Sequence, residues 1–201
     1  MAQAPIEATP SRALLALDVA VKAGTVGLLL FALANPDLPQ FQGKAFAGRA
    51  IAYPVALLAM PALWWLIGRR RIPFPITADV LLGLPFLIDV IGNTLNLYDT
   101  VNRWDDLNHL VNWGLHTAAI GLLLRYGPWG RRTRAGLGFC WAITSAVLWE
   151  FAEYVTFVPN SPEAATAYGD TLGDLAFGMV GGLVGAIVTA RLSARVPRSN
   201  S

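Results

Sequence analysis

Charged residues and cysteine are both scarce in this 201-residue chain. Asp, Glu, Lys and Arg together make up 14% of it, whereas hydrophobic residues make up 55%. This composition is too apolar for an ordinary soluble domain and indicates a membrane protein. The single cysteine, Cys140, excludes an intrachain disulfide and a cysteine-based zinc site. A net charge of +2 gives no indication that the chain binds nucleic acid. Because the composition is so apolar, membrane lipids are the expected surroundings.

Long apolar runs occupy the places where a soluble protein would carry charge. A helix needs roughly 20 mostly apolar residues to cross the hydrocarbon core, and it satisfies its own backbone polar groups there. The sequence therefore predicts an all-α fold, a polytopic membrane helical bundle of about six transmembrane helices. One transmembrane domain is expected over 12–193, between disordered tails at 1–11 and 194–201. The predicted spans are 12–34, 48–68, 76–97, 106–125, 135–158 and 171–191.

Basic residues concentrate at one end of alternate loops, which is how orientation in a membrane is encoded. The clusters follow spans two, four and six, at 68–71, 125–134 and 191–198. An even number of spans then places these clusters and both termini on the cytoplasmic side of the cytoplasmic (inner) membrane. The opposite loops carry mostly acidic residues, and their basic exceptions are Lys44, Arg49 and Arg103.

Two acidic residues near the predicted cytoplasmic ends have simple structural explanations. Asp18 and Lys22 are four residues apart, a spacing that predicts a local ion pair on one helix. Asp79 follows the arginines at 69–71, so we expect an ion pair between this carboxylate and one of those side chains. Neither acid is therefore expected to belong to a functional site.

The other acidic and histidine residues inside the spans lie at similar depths. Ionisable side chains are costly in lipid, so each of them is a candidate for function. Counted from the cytoplasmic end at about 1.5 Å per residue, they lie roughly 20 to 25 Å into their spans. Four different helices therefore bring an acid or a histidine to one level in the outer half of the membrane. These residues are Asp89, His109, Glu150 and Asp174, with Glu153 one turn further out.

Helical spacing gathers the polar residues of each span onto one face. Residues three, four, seven or eleven positions apart share a face of a helix. Four spans carry such a polar stripe, and because lipid cannot solvate it, each stripe is expected to face the bundle interior. The stripes are Asp105, His109, Asn112 and His116; Glu150 and Glu153; Asp170 and Asp174; and Asp89, Asn93 and Asn96.

Glycines continue the face of Asp174 towards the cytoplasmic end of the last span. They form overlapping G-x-x-x-G patterns, which permit close approach of a neighbouring helix. We therefore expect another span to pack tightly beneath Asp174. The glycines concerned are Gly178, Gly181, Gly182 and Gly185.

Three segments in the second half of the chain carry a family resemblance. YDTVNRWDDLNHLVNWGLH, LWEFAEY and YGDTLGDLAFGMVGGLVG resemble the YjdF-like family of small bacterial integral membrane proteins. That family has an Asp–His motif, a Glu-x-x-Glu motif and an Asp-x-x-x-Asp motif before a glycine-rich helix, and VanZ-like proteins are more loosely similar. The resemblance implies a six-helix-like bundle in the cytoplasmic membrane and no particular reaction. Its motifs fall on Asp105 or Asp106 (with Asp99 as the other choice for the motif aspartate), His109, Glu150, Glu153, Asp170 and Asp174.

Carboxylates and imidazoles that converge from several helices are typical ligands of a divalent metal ion. Oxygen-rich sites suit magnesium, calcium or manganese, and an added imidazole favours zinc, iron or manganese. His116, near the middle of the membrane, is expected to be a core histidine rather than a ligand. The expected metal ligands are Asp105, Asp106, His109, Glu150, Glu153, Asp170 and Asp174, with Asp89, Asn93, Asn112 and His116 as supporting polar residues.

Three classes of function remain open for such a cluster. The first is a metal-dependent enzyme that acts on a lipid-linked or envelope substrate. The second is a proton- or cation-coupled transporter, and the third is an accessory membrane protein whose polar network only stabilises the fold. Below His116 the fourth span reads TAAIGLLL, which is apolar and argues against a continuous polar path along that helix. The sequence therefore favours an outward-facing polar pocket.

Overall fold

A computed structural model of the chain describes residues 11–156, 158–160 and 162–192. Apart from Ser11, the predicted tails lie outside these residues. The described part is helical and contains no strand, which confirms the predicted all-α class. Ser11 caps the first helix by accepting a hydrogen bond from the backbone N–H of Leu14. The helices are α1 (Arg12–Ala34), α2 (Phe46–Leu63), α3 (Ile76–Thr94), α4 (Leu97–Thr100), α5 (Trp104–Leu124), α6 (Arg131–Thr156) and α7 (Ala167–Leu192).

Five helices in the described residues are long and apolar enough to cross a membrane. They are α1, α2 with the π-helical turn Trp64–Gly68 that extends it, α3, α6 and α7. Helix α5 corresponds to the fourth predicted span, and its 21 residues are sufficient in length. Its hydropathy is lower because His109, Asn112 and His116 interrupt the apolar sequence. The structure therefore agrees with the predicted membrane bundle, and the helix that departs from apolar composition carries the polar stripe.

The helices pack as two groups of three. Helix α1 contacts α2 and α3, whereas α5 contacts α6 and α7, and the pairing of α3 with α5 joins the groups. Helices α5 and α7 run parallel, since Gly178 lies against Trp113 and Gly121 lies against Thr189, further along both helices. The beginnings of α5 and α7 therefore lie at the same end of the bundle, where α3 and α6 end.

The glycine face of α7 is the surface against which α5 packs. A Cβ atom at Gly181 would overlap the Leu110 carbonyl oxygen, and one at Gly185 would overlap the Gly114 carbonyl oxygen. The two helices are thus in backbone-to-backbone contact, as is typical of G-x-x-x-G interfaces in membranes. This confirms the predicted close approach beneath Asp174 and identifies α5 as the partner helix.

Asp18 and Asp79, the two acids near the predicted cytoplasmic ends, share one ion-pair network with Lys22. The Lys22 ammonium lies 2.8 Å from an Asp18 carboxylate oxygen, as the spacing predicted, and 2.5 Å from an Asp79 oxygen. The predicted pairing of Asp79 with an arginine is wrong, because the parallel packing of α1 and α3 brings Lys22 to the level of Asp79. Arg69 instead stacks over the Trp65 ring.

Candidate functional site

A cavity of about 740 Å³ lies at the end of the bundle where α5 and α7 begin. Its volume is within the usual range for small-molecule sites. The polar stripe of α5 lines one wall and the carboxylates of α6 line another. Aromatic side chains lie beside them, namely Tyr53, Phe86, Trp113 and Trp149. The stripes of α5 and α6 thus share this interior space with Asp89, Asn93 and Asp170, whereas Asn96 and Asp174 are not among the residues that line it.

His109 lies among three carboxylates contributed by three helices. Its Nε2 atom is 3.6 Å from Asp105 Oδ1 on the preceding turn of α5 and 3.8 Å from Asp174 Oδ1 on α7. Its Nδ1 atom is 3.8 Å from Glu150 Oε1 on α6. Three of the four residues are buried, with exposed fractions of 7% for His109, 8% for Glu150 and 2% for Asp174. The histidine ring therefore has carboxylates on both of its nitrogen-bearing sides.

The separations within this cluster are too long for hydrogen bonds, which span about 2.7–3.2 Å. Within the described part of the chain, His109 Nδ1, Glu150 Oε1 and Asp174 Oδ1 are buried and have no hydrogen-bond partner. Buried polar atoms are nearly always bonded, so three orphans at one place require an explanation. Two ligand atoms each about 2.1 Å from a tetrahedral ion are roughly 3.4 Å apart, close to the observed separations.

Two sets of candidate ligands share His109 in the described residues. One combines it with Asp105 and Asp174, and the other combines it with Glu150 and Glu153. The ligand atoms of each set lie within 4.8 Å of one another. Five side chains from α5, α6 and α7 therefore form two overlapping groups, each of which could hold a metal ion.

Asp106 and Asp170, also predicted as ligands, line the cavity outside both sets. The Asp106 carboxylate faces the start of α7, with Oδ1 only 3.1 Å from where a Cβ at Gly173 would lie. Asp170 is exposed to solvent one turn before Asp174. Both residues add negative charge at the cavity mouth, next to the Asp105 side of the cluster.

Asp89 occupies the opposite wall of the cavity and has a full set of hydrogen-bond donors. Arg49 forms an ion pair with it, and the Tyr53 hydroxyl donates to the same oxygen at 2.7 Å. The Tyr98 hydroxyl and the Asn93 amide donate to the other oxygen at 2.8 and 3.2 Å. A carboxylate has about four acceptor positions, so none is left over for a metal ion. Asp89 and Asn93 thus belong to a hydrogen-bond network beside the His109 cluster and not to the cluster itself.

A chain of hydrogen bonds connects this network to the stripe of α5. The Asn112 amide donates to Asn108 Oδ1 at 2.7 Å, and the Asn108 amide donates to the Tyr98 hydroxyl. Burial, together with the neighbouring Asp89 carboxylate, raises the pKa of the Tyr98 phenol well above its usual value. Tyr98 therefore keeps its proton and donates a hydrogen bond to Asp89.

Four residues of this network were missed in the sequence: Arg49, Tyr53, Tyr98 and Asn108. Arg49 offered a signal, because it is an arginine among acids at the predicted outer ends of the spans. Tyr53 lies one helical turn further along α2. No signal in the sequence connected either residue to Asp89, which is on another helix.

His116 lies at the floor of the cavity as a core residue. Its ring makes edge contacts with Phe86 and Trp113, with ring centres 5.8 and 5.4 Å away. One ring nitrogen also donates to the backbone of Leu82. His116 is thus packed between aromatic rings, and it is in neither candidate ligand set of the described residues.

The helices and this cluster define a multi-pass membrane protein with buried acidic and histidine residues at one end of its bundle. The chain belongs to the family described as "Predicted membrane protein (DUF2238)", whose model matches residues 21–195. The matched range includes every residue of the His109 cluster and of the Asp89 network. No curated protein matches the chain, and no solved structure matches it.

Proposed function

We propose that His109 and its surrounding carboxylates bind a divalent metal ion, and that the protein is a metal-dependent enzyme of the cytoplasmic membrane. Its substrate class is a lipid-linked or envelope molecule that enters the cavity from outside the cell. The observation that carries the proposal is the group of buried, unbonded ligand atoms on His109, Glu150 and Asp174. The likeness of the second half of the chain to YjdF-like proteins is consistent with this location.

The burial of these polar atoms without hydrogen bonds is costly, and this cost favours a bound ion. A buried polar atom without a hydrogen bond costs about 1–3 kcal/mol, and more if it is charged. Several carboxylates are concentrated around His109, so a cation bound there offsets the repulsion between them when they are ionised, as well as this cost. One imidazole with several carboxylate oxygens, and no thiolate, suits manganese, iron, zinc or magnesium.

The chemistry available at such an ion depends on an open coordination position. The Asp105 side chain is 41% exposed, so its side of the cluster faces the cavity rather than the protein interior. A bound ion there would polarise a phosphoryl or carbonyl oxygen and activate water. Phosphoester hydrolysis or transfer on a lipid head group is the reaction class that fits this position.

The distribution of basic residues supports the proposed outward direction of the cavity. The cavity lies at the end of the bundle opposite the arginines at 69–71 and at 131–134. Cytoplasmic loops are enriched in Lys and Arg, so this end faces away from the cytoplasm. Both termini then lie on the cytoplasmic side.

A structural role without metal is the competing interpretation, and the Asp89 network is the observation that favours it. That network shows that this cavity wall satisfies a buried carboxylate with protein donors alone. The His109 cluster differs because its separations are 3.6–3.8 Å rather than hydrogen-bonding distances.

Elemental analysis of the protein, purified without chelators in mild detergent, separates these interpretations. We expect about one divalent ion per chain in the wild type, loss of it in His109→Ala, and retention in the matched control His116→Ala. Absence of metal from the wild type, even after incubation with manganese, iron or zinc, would contradict the metal centre. Equal metal content in the two histidine variants would place any bound ion elsewhere.

A further inference from the structure

We infer that the ion lies on the Nε2 side of His109, between Asp105 and Asp174, and that Glu150 is a positioning residue that holds the ring through Nδ1. The inference rests on the proposed metal centre and assigns different roles to carboxylates that the sequence grouped together. It makes Asp105 and Asp174 direct ligands of the ion. It removes Glu150 and Glu153 from that set.

The imidazole ring of His109 can bind the ion through only one of its two nitrogens. A metal-binding histidine is neutral, so one ring nitrogen binds the ion and the other carries a proton. The two candidate ligand sets approach His109 from opposite nitrogens, with Asp105 and Asp174 at Nε2 and Glu150 at Nδ1. Only one set can therefore bind an ion through His109, and the other must accept its N–H.

The Nε2 side of His109 is accessible to solvent at Asp105 and is surrounded by acidic residues. Asp105 is the exposed member of the cluster, and its position lets water or substrate reach an ion on this side. Asp174 approaches from another helix, so the ion would cross-link α5 to α7. Asp106 and Asp170 lie at the same mouth and increase the negative potential that attracts a cation.

On the Nδ1 side, Glu150 and Glu153 line the cavity, but each carboxylate has a neighbour that holds it. Glu150 is 8% exposed and accepts a hydrogen bond from the Thr171 hydroxyl, which fixes its carboxylate. Glu153 lines the same cavity as Arg49, whose guanidinium attracts its carboxylate. An already anchored carboxylate is better suited to accept an imidazole N–H than to bind an ion that must exchange ligands.

The contact between His109 Nδ1 and Glu150 Oε1 is only slightly longer than a hydrogen bond. A shift of about 0.8 Å would bring the observed 3.8 Å between Nδ1 and Oε1 to the length of a normal hydrogen bond. Metal-bound histidines usually donate their second N–H to such a carboxylate, which sets the orientation of the ring. Thr171, Glu150 and His109 would then form one continuous support behind the ion.

Titration with Co²⁺ alone tests the assignment, because its visible spectrum reports the ligands and calorimetry reports the affinity. Asp174→Asn should weaken binding at least about 100-fold and change the spectrum, since a direct ligand is altered. Glu150→Gln should weaken binding by about 10- to 100-fold with the wild-type spectrum unchanged. Glu153→Gln is the matched control, on the same helix one turn away, and should leave both unchanged.

Opposite results have separate meanings. If Glu150→Gln or Glu153→Gln changes the spectrum while Asp174→Asn does not, the ion lies on the Nδ1 side and the assignment is wrong. Unchanged affinity in Glu150→Gln would also overturn the positioning role. If the wild type binds no Co²⁺, the proposed metal centre itself fails. Thr171→Ala serves where Glu150→Gln does not fold, and should weaken binding several-fold without changing the spectrum.

Discussion

Replacement of Gly181 by alanine probes the contact on which the site is built. A Cβ at this position would lie 2.8 Å from the Leu110 carbonyl carbon and closer still to its oxygen, whereas ordinary contacts begin at 3.4 Å. Helices α5 and α7 must therefore separate by at least 3.4 − 2.8 = 0.6 Å. Overpacking of this kind costs about 1–3 kcal/mol, and a backbone obstacle cannot rotate away as a side chain can.

The control variant is Gly136→Ala on α6, where nothing lies within 4 Å of the added atom. Both variants gain the same helix propensity, about 1 kcal/mol in favour of alanine, so their difference isolates the overpacking term. We expect Gly181→Ala to be less stable than Gly136→Ala by about 1–3 kcal/mol in reversible unfolding from mixed micelles. Metal affinity should fall in Gly181→Ala alone, because functional sites tolerate displacements of only about 0.5 Å. Equal stability of the two variants would refute the backbone contact.

Two further predictions concern the other wall of the cavity and the orientation of the chain. Arg49→Ala leaves the buried Asp89 carboxylate without its counter-charge and should destabilise the protein by about 3–5 kcal/mol in the same assay; a loss below about 1 kcal/mol would show that the pair is not buried in solution. In a Cys140→Ser background, Asn102→Cys should react with an impermeant maleimide in whole cells, and Arg132→Cys only after permeabilisation. The reverse labelling pattern would place the cavity on the cytoplasmic side.

The parts of the fold that the sequence predicts well depend on spacing within one helix. The apolar runs located the long helices, and the glycine spacing located the face of α7 that α5 packs against. The pair of Asp18 with Lys22 was also predictable, because a four-residue separation on a helix leaves little choice of geometry. The partner of Asp79 was not, since it depends on which two helices lie side by side.

The same distinction applies to the candidate site. Depth and helical face brought His109, Glu150 and Asp174 together correctly, because rise and periodicity are constant along an α-helix. Depth alone also grouped Asp89 with them, although its charge is matched by Arg49 from α2. Which carboxylates lie at Nδ1 of His109 and which lie at Nε2 depends on how the helices are rotated about their axes and on the side-chain rotamer. The local sequence determines neither.

X-ray absorption at the edge of the bound metal tests the central claim most directly, because it reports the atoms that surround the ion. We expect one imidazole nitrogen and carboxylate or water oxygens at about 2.0–2.2 Å from the metal, with no sulfur. His109→Ala should retain no metal to give a spectrum, whereas His116→Ala should give the wild-type spectrum. A spectrum with oxygen ligands alone in the wild type, or with two imidazoles, would contradict a centre built around His109.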